Sequence, residues 1–320
     1  MKKVLANDGI SASGKKKLEA NGFTVVTENV NQNALAEVIN KENYEVLLVR
    51  SATTARKELI DACPKLSFIG RGGVGMDNID VAYARSVGRT VANTPASSSD
   101  SVAELVMAHM YTLARHLHDS NRRMPSEGVS KFADLKKKYA KGVELGGKTL
   151  GVIGIGRIGQ ATASLAIGAG MRVIAFDPFS ELNKINLKIY GHEKISVKIE
   201  RVSLEELLAQ SDFVTLHVPK QADGSAVLGS KELAMMKKGS FLVNAARGGV
   251  VDEDALIAAL DSGQLAYAAL DVFENEPNPR ADLLKHEKIS SSPHIGAATL
   301  EAQDRIGEEL ADLIFDHFAS

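Results

Sequence analysis

Four short apolar runs in the last third of the chain each end in residues able to do chemistry. Phe213-Val214-Thr215-Leu216 leads into His217-Val218-Pro219, and Leu242-Val243 into Asn244-Ala245-Ala246-Arg247-Gly248-Gly249. Ala269-Leu270 leads into Asp271 and on to Glu276-Pro277, and Ile289 into Ser291-Ser292-Pro293-His294-Ile295-Gly296. If the runs are successive parallel strands, their carboxyl ends share one rim and gather an arginine, several acids and a histidine there. That set suits hydride transfer at a carbon that bears oxygen beside a carboxylate. Arg247 would clamp the carboxylate with its planar fork, His294 would exchange the hydroxyl proton, and Glu276 would hold the imidazole in one tautomer. Singly, each has a plainer reading: Arg247 capping carbonyls, Glu276 solvated on a loop, His294 exposed beside Pro293. No His and Cys cluster has ligand spacing, so no metal is expected.

A hydride needs an acceptor, and residues 149–178, TLGVIGIGRIGQATASLAIGAGMRVIAFDP, read as strand, glycine turn, helix and strand. Gly154, Gly156 and Gly159 have the G-x-G-x-x-G spacing, which permits a tight turn and close backbone approach to a pyrophosphate. The helix from Arg157 to about Gly170 points free N–H groups and its positive dipole end at that anion, and Gly170 stops it in left-handed conformation. Asp177 closes the second strand, where an acid accepts from both ribose hydroxyls of an adenosine. A 2′-phosphate would meet a like charge, and Pro178-Phe179-Ser180 offers no cation, so NAD is expected over NADP.

The elements that must position these groups follow from periodicity. Val4-Leu5-Ala6, Phe23 to Val26, Val46 to Val49, Leu66 to Ile69 and Thr90 to Ala92 are strand-like, with helices between them whose apolar faces carry Leu18, Leu35, Val38, Ile39, Leu59 and Ile60. Arg50-Ser51 and Gly70-Arg71-Gly72-Gly73-Val74-Gly75 open at the carboxyl ends of two of these strands, where arginines and glycine N–H groups can hold an anion. Asn93-Thr94-Pro95 ends this first domain, and Ser97-Ser98-Ser99-Asp100 reads as a polar hinge. A long helix then begins, with Ser101 and Glu104 at capping-box spacing and Val102, Leu105, Val106, His109, Met110 and Leu113 on one face. His109 has no second ligand at helical spacing and reads as a core histidine. Residues 119–147 read as a solvated connecting segment, and 180–200 as irregular. Helices near 203–210, 230–236 and 252–261 alternate with the late strands. The amphipathic helix from Thr299 to Phe318 most simply returns to the first domain, with a cleft between the domains as the expected active site.

The expected fold class is therefore α/β, with two doubly wound parallel-sheet domains. Residues 1–97 with 297–320 form a discontinuous, flavodoxin-like substrate domain, and 98–296 a Rossmann NAD-binding domain. A chain of 320 residues can bury two cores. With Lys+Arg 38 against Asp+Glu 40 and no basic cluster interleaved with aromatics, nucleic acid is not an expected partner. No run is long enough for a signal-peptide core or a membrane span, and the single Cys63 reads as a buried hydrophobe, so a cytoplasmic location is expected.

GIGRIG, FDP, HVP, NAARGG, DVFENEP and SPHIGAAT, in this order and spacing, resemble the D-isomer-specific 2-hydroxyacid dehydrogenases over essentially the whole chain. Within that family, VRSAT at 49–53, GRGGVGMDNID at 70–80 and NTP at 93–95 are most similar to members that oxidise 3-phospho-D-glycerate. The resemblance implies Arg247, Glu276 and His294 as the catalytic trio. It implies NAD against Val74, Gly154, Gly156, Arg157, Ile158, Gly159, Asp177, Val218, Pro219, Ala245, Ala246, Arg247, Asp271, His294 and Gly296, with Asp271 at the nicotinamide amide. The substrate, a phosphorylated 2-hydroxy acid, would meet Arg50, Ser51, Arg71, Gly72, Gly73, Arg247 and His294. A homodimer is the family's habit, and its cross-subunit phosphate arginine corresponds to Arg122 or Arg123. Because the chain stops at 320, the regulatory C-terminal domain of many such members is expected to be absent, and serine feedback with it. Two rival expectations stand beside this one: a reductase of glyoxylate, hydroxypyruvate or another small 2-oxo acid, and a non-catalytic NAD(H)-sensing, corepressor-like protein.

Overall fold

The computed structural model describes residues 2–319. The chain divides into two compact units, Met1–Ser101 with Ala297–Ser320, and Val102–Gly296. In the first, strands β1 (Lys3–Ala6), β2 (Thr24–Val26), β3 (Val46–Val49), β4 (Phe68–Arg71) and β5 (Thr90–Asn93) alternate with helices α1 (Ala12–Ala20), α2 (Leu35–Glu42), α3 (Lys57–Ala62) and α4 (Val81–Ser86). They form an all-parallel sheet in the order β2-β1-β3-β4-β5, the flavodoxin-like order. Strand residues alternate sides. Leu5, Leu47 and Ile69 pack with Leu35, Ile39 and Ile60 of α2 and α3, while Val4, Val46, Leu48 and Phe68 pack with Leu18 of α1 and with Ile306, Leu310 and Ile314.

The second unit contains nearly all of α5 (Ser99–Ala114), then α6 (Leu117–Glu127), α7 (Phe132–Lys138), β6 (Thr149–Ile153), α8 (Arg157–Gly168) and β7 (Arg172–Phe176). It continues through β8 (Lys184–Leu187), β9 (Ile195–Lys198), β10 (Glu200–Arg201), α9 (Leu204–Gln210), β11 (Phe213–Leu216), α10 (Ser230–Met235), β12 (Ser240–Asn244), α11 (Glu253–Asp261), β13 (Leu265–Leu270), α12 (Ala281–Lys285) and β14 (Ile289–Ser291). The main sheet has the order β10-β7-β6-β11-β12-β13-β14, all parallel. Winding reverses between β6 and β11, so the crevice at their carboxyl ends is the place where such sheets take ligands. The last helix, α13 (Leu300–Ala319), belongs to the first unit and crosses α1. Among the described residues no helix is long and apolar enough to cross a membrane.

Four local expectations need correction. Residues 180–200 are not irregular: β8 and β9 pair antiparallel and β10 joins the main sheet. Only Ile185 of the hairpin strands is buried, so the solvated Lys and Asn positions hide the strand period. Residues 119–147 hold most of α6 and all of α7 rather than a plain connector; Asp119 accepts from Arg123 at 3.0 Å, Lys138 at 2.7 Å and Tyr139 at 2.8 Å and ties the two together. The hinge serines are buried, α5 starts at Ser99, and Ser101 is no cap, since its hydroxyl lies 2.7 Å from Thr299 Oγ1. Finally, β4 starts at Phe68 rather than Leu66 and runs through Arg71, whose strand partner is Val49.

Candidate active site

The glycine turn between β6 and α8 is dictated by contact. Gly154 has φ +89°, and a Cβ there would stand 2.6 Å from the carbonyl oxygen of His217. A Cβ on Gly159 would stand 2.1 Å from the carbonyl oxygen of Gly154, so helix and turn can meet only at glycine. A Cβ on Gly156, the N-cap of α8, would meet nothing within 4 Å, and Gly156 and Arg157 are exposed; this is the open side from which an anion can reach the N–H groups. Asp177 follows β7. Its Oδ2 accepts from Ile155 N–H and its Oδ1 from Phe179 N–H, each at 2.9 Å, leaving a lone pair on each oxygen for a ribose hydroxyl. Arg201 of β10 donates to the Asp177 carbonyl, a neighbouring cation that the Pro178-Phe179-Ser180 argument misses. These residues fit a dinucleotide.

At the ends of β12, β13 and β14 the polar residues interlock. His294 Nδ1 lies 2.7 Å from Glu276 Oε2, and Glu276 Oε1 accepts from Phe273 N–H at 2.9 Å. Because a carboxylate only accepts, Nδ1 carries the proton and Nε2 is the atom left to take one. Burial would raise the Glu276 carboxyl, but the His294 and Phe273 hydrogen bonds and nearby Arg247 hold it below its ordinary value. His294 has φ +54°, unusual for a side-chain-bearing residue, and the turn around it is wound on Asp271. The buried Asp271 carboxylate accepts from Ile295 N–H and Gly296 N–H at 2.9 Å and from Ser292 Oγ at 2.6 Å. Asn244 shapes the Arg247 turn, donating to the Arg247 carbonyl at 3.0 Å and accepting from Ala246 N–H at 3.1 Å. A Cβ on Gly248 would fall 1.8 Å from the Phe273 carbonyl oxygen, so the turns bearing Arg247 and Glu276 are in contact.

In the first unit, Arg50 and Arg71 flank the end of the β3–β4 pair. Asp8 Oδ2 accepts from Arg50 N–H at 2.7 Å and Thr53 N–H at 3.0 Å, and Asn78 Nδ2 donates to the Arg50 carbonyl at 2.8 Å. Arg71 folds over Gly73, whose φ is +135° and whose Cβ would stand 1.8 Å from Arg71 Nη1. A cleft of about 230 Å³ lies here, lined among others by Asp8, Ser11, Arg50, Gly72 and Gln303. Among the described residues no group of three His, Cys, Asp or Glu side chains could hold a metal.

Residues 107–296 match the model of the D-isomer specific 2-hydroxyacid dehydrogenase, NAD binding domain. The chain belongs to that family. It is 39% identical over 312 residues to D-3-phosphoglycerate dehydrogenase of Homo sapiens, covering 97% of this chain and 55% of that protein, so it spans about half the length of that relative. It is 40% identical over 294 residues to hydroxypyruvate reductase of Thermotoga maritima, covering 91% of this chain and 90% of that one. Among solved structures it resembles the NAD-dependent formate dehydrogenase from Staphylococcus aureus in complex with NAD, with a TM-score of 0.81, 28% identity and coverage of 99% and 96%.

In this member of the family, the structure brings Glu276 to His294 and Arg247 to their edge, and sets Val218 against Gly154. It gives Asp271 donors from Ser292, Ile295 and Gly296, contacts absent from the expectation that placed it at the nicotinamide. It also adds Phe273, whose part is played by its backbone N–H, Arg201, which reaches in from a distant strand, and Asn244, whose side-chain bonds to its own turn the motif does not reveal.

Proposed function

We propose that the chain oxidises 3-phospho-D-glycerate to 3-phosphohydroxypyruvate, the step that commits carbon to serine. NAD, when bound, supplies the hydride acceptor. Arg247 holds the substrate carboxylate bidentately and so fixes the carbon bearing the hydroxyl. His294 takes the hydroxyl proton on Nε2 while Nδ1–H stays on Glu276, which also stabilises the imidazolium that results. Arg50 and Arg71 take the phosphate. The observation that carries this choice is the pair of guanidinium groups rooted at adjacent strand ends, β3 and β4, with Asp8 and Asn78 fixing the backbone at Arg50. A phosphorylated acid brings a second anion to that pair, and an unphosphorylated one does not. A cytoplasmic homodimer belongs to the same proposal.

A second reading, reduction of hydroxypyruvate or glyoxylate, is favoured by one observation: the hydroxypyruvate reductase relative is matched over 90% of its length. NADH formation at alkaline pH with 3-phospho-D-glycerate beside D-glycerate, D-lactate and D-malate separates the two. Activity confined to the phosphorylated acid supports the first, and activity with unphosphorylated acids alone removes it. Arg71→Gln is expected to raise KM for phosphoglycerate about tenfold or more; an unchanged KM would remove Arg71 from the phosphate site. His294→Ala is expected to keep NADH binding and lose about 10²- to 10⁴-fold in turnover, which a non-catalytic sensor would not show.

A further inference from the structure

Behind the His294 turn runs a buried polar chain that proton transfer does not use. His109 sits on the inward face of α5 with Val106, Met110 and Leu113, where the helix pattern calls for an apolar side chain. Its Nε2 lies 3.0 Å from Ser292 Oγ, and Ser292 Oγ lies 2.6 Å from Asp271 Oδ1. The same carboxylate accepts the N–H groups of Ile295 and Gly296 at 2.9 Å, the two amides that follow His294. The direction of each bond is fixed. Asp271 only accepts, so the Ser292 proton points at it, and Ser292 then accepts from His109 Nε2–H. Burial pushes the His109 imidazole below its ordinary value, and Asp271 only partly draws it back. It is therefore neutral at neutral pH, with its single N–H on Nε2.

A histidine in this place carries a desolvation cost that a leucine would avoid. What it adds is orientation: with His109 donating, the Ser292 hydroxyl has one acceptor direction left, and Asp271 keeps its third donor. His294 at φ +54° needs such over-determination, because its backbone conformation is disfavoured. We propose that His109 is a positioning residue, holding the 292–296 turn through Ser292 and Asp271 in the conformation that keeps His294 on Glu276. The proposal rests on the reading of His294 as the acid/base.

The test uses the full chain with His109→Leu, which fills the space without a donor, and His109→Gln, which restores an N–H near the same point. His109→Leu is expected to lower kcat about tenfold while KM and NADH affinity stay within about twofold. His109→Gln is expected to recover to within about threefold. In the ligand-free protein, amide exchange at Ile295 and Gly296 is expected to speed up about tenfold in His109→Leu and to stay near wild type in His109→Gln. Equal loss in both variants, or wild-type exchange in His109→Leu, overturns the proposal. The exchange measurement needs no turnover, so it stays decisive if the acid/base reading fails. That failure shows separately, as wild-type turnover in His294→Ala.

Discussion

The Glu276–His294 pair works in one charge arrangement, with the carboxylate ionised and Nδ1 protonated. The hydrogen bonds from His294 and Phe273 keep Glu276 below its ordinary carboxylate value despite burial. It therefore stays ionised as pH falls through that value. An NMR titration of the Glu276 carboxyl carbon is expected to show a midpoint below that of a free glutamate, and a midpoint above it would remove this arrangement. Glu276→Gln removes the obligatory acceptor and lets the imidazole take the wrong tautomer, with an expected loss in kcat of about 10²-fold or more at unchanged NADH affinity. At the proposed adenosine end, Arg201 lies against the Asp177 backbone. Asp177→Ser removes the charge that repels a 2′-phosphate and leaves the guanidinium beside it. The ratio of kcat/KM for NAD over NADP is expected to fall at least about tenfold, and an unchanged ratio would mean that Asp177 does not read the ribose.

Elements in this chain are fixed as much by what they exclude as by what they bury. At the α1–α13 crossing, a Cβ on Gly14 would stand 2.6 Å from the Gly307 backbone, and one on Gly307 would stand 2.1 Å from Ser11 Oγ. Gly14→Ala therefore destabilises by about 1–3 kcal/mol, read as a lower denaturant midpoint, although alanine is the better helix former. At the α6–α7 corner, burial would raise the Asp119 carboxyl, but donors from Lys138, Arg123 and Tyr139 hold it well below its ordinary value. A depressed carboxylate stabilises above its unfolded-state value and loses that contribution as pH falls through its folded-state value. Asp119→Asn should thus be less stable than the parent at pH 7, and the gap should narrow at pH values below about 4. A pH-independent gap would mean that the carboxylate's charge is not what holds the corner. Strands such as Val46–Val49 and Phe213–Leu216 are legible in the sequence because both faces are buried and every residue but Thr215 is apolar. The hairpin at β8–β9 and the α6–α7 pair are not, since their order comes from Ile185 and Asp119 meeting partners that local pattern does not reveal. Glu276 and His294 are legible because each follows one of two adjacent strands, β13 and β14. The His109–Ser292–Asp271 chain is not, because it joins α5 to residues far along the sequence.

At the scale of the whole molecule, the second unit carries apolar side chains that its own core does not use. Tyr111, Leu117, Met124, Val129 and Phe132 are all more than 40% exposed and fall within one stretch of α5, α6 and the start of α7. Apolar side chains exposed along a single segment suit an isologous contact in which the same surface meets its copy. The charge balance, 38 basic against 40 acidic residues, gives little self-repulsion to oppose association. Sedimentation at micromolar protein is expected to show a dimer. Val129→Asp combined with Phe132→Asp should shift it toward monomer, because each carboxylate would be buried unpaired in the contact. Neither side chain contributes to the buried core, so the monomer should keep its melting transition and its NADH affinity. A wild-type chain that sediments as a monomer at every concentration would assign the exposed patch to another partner.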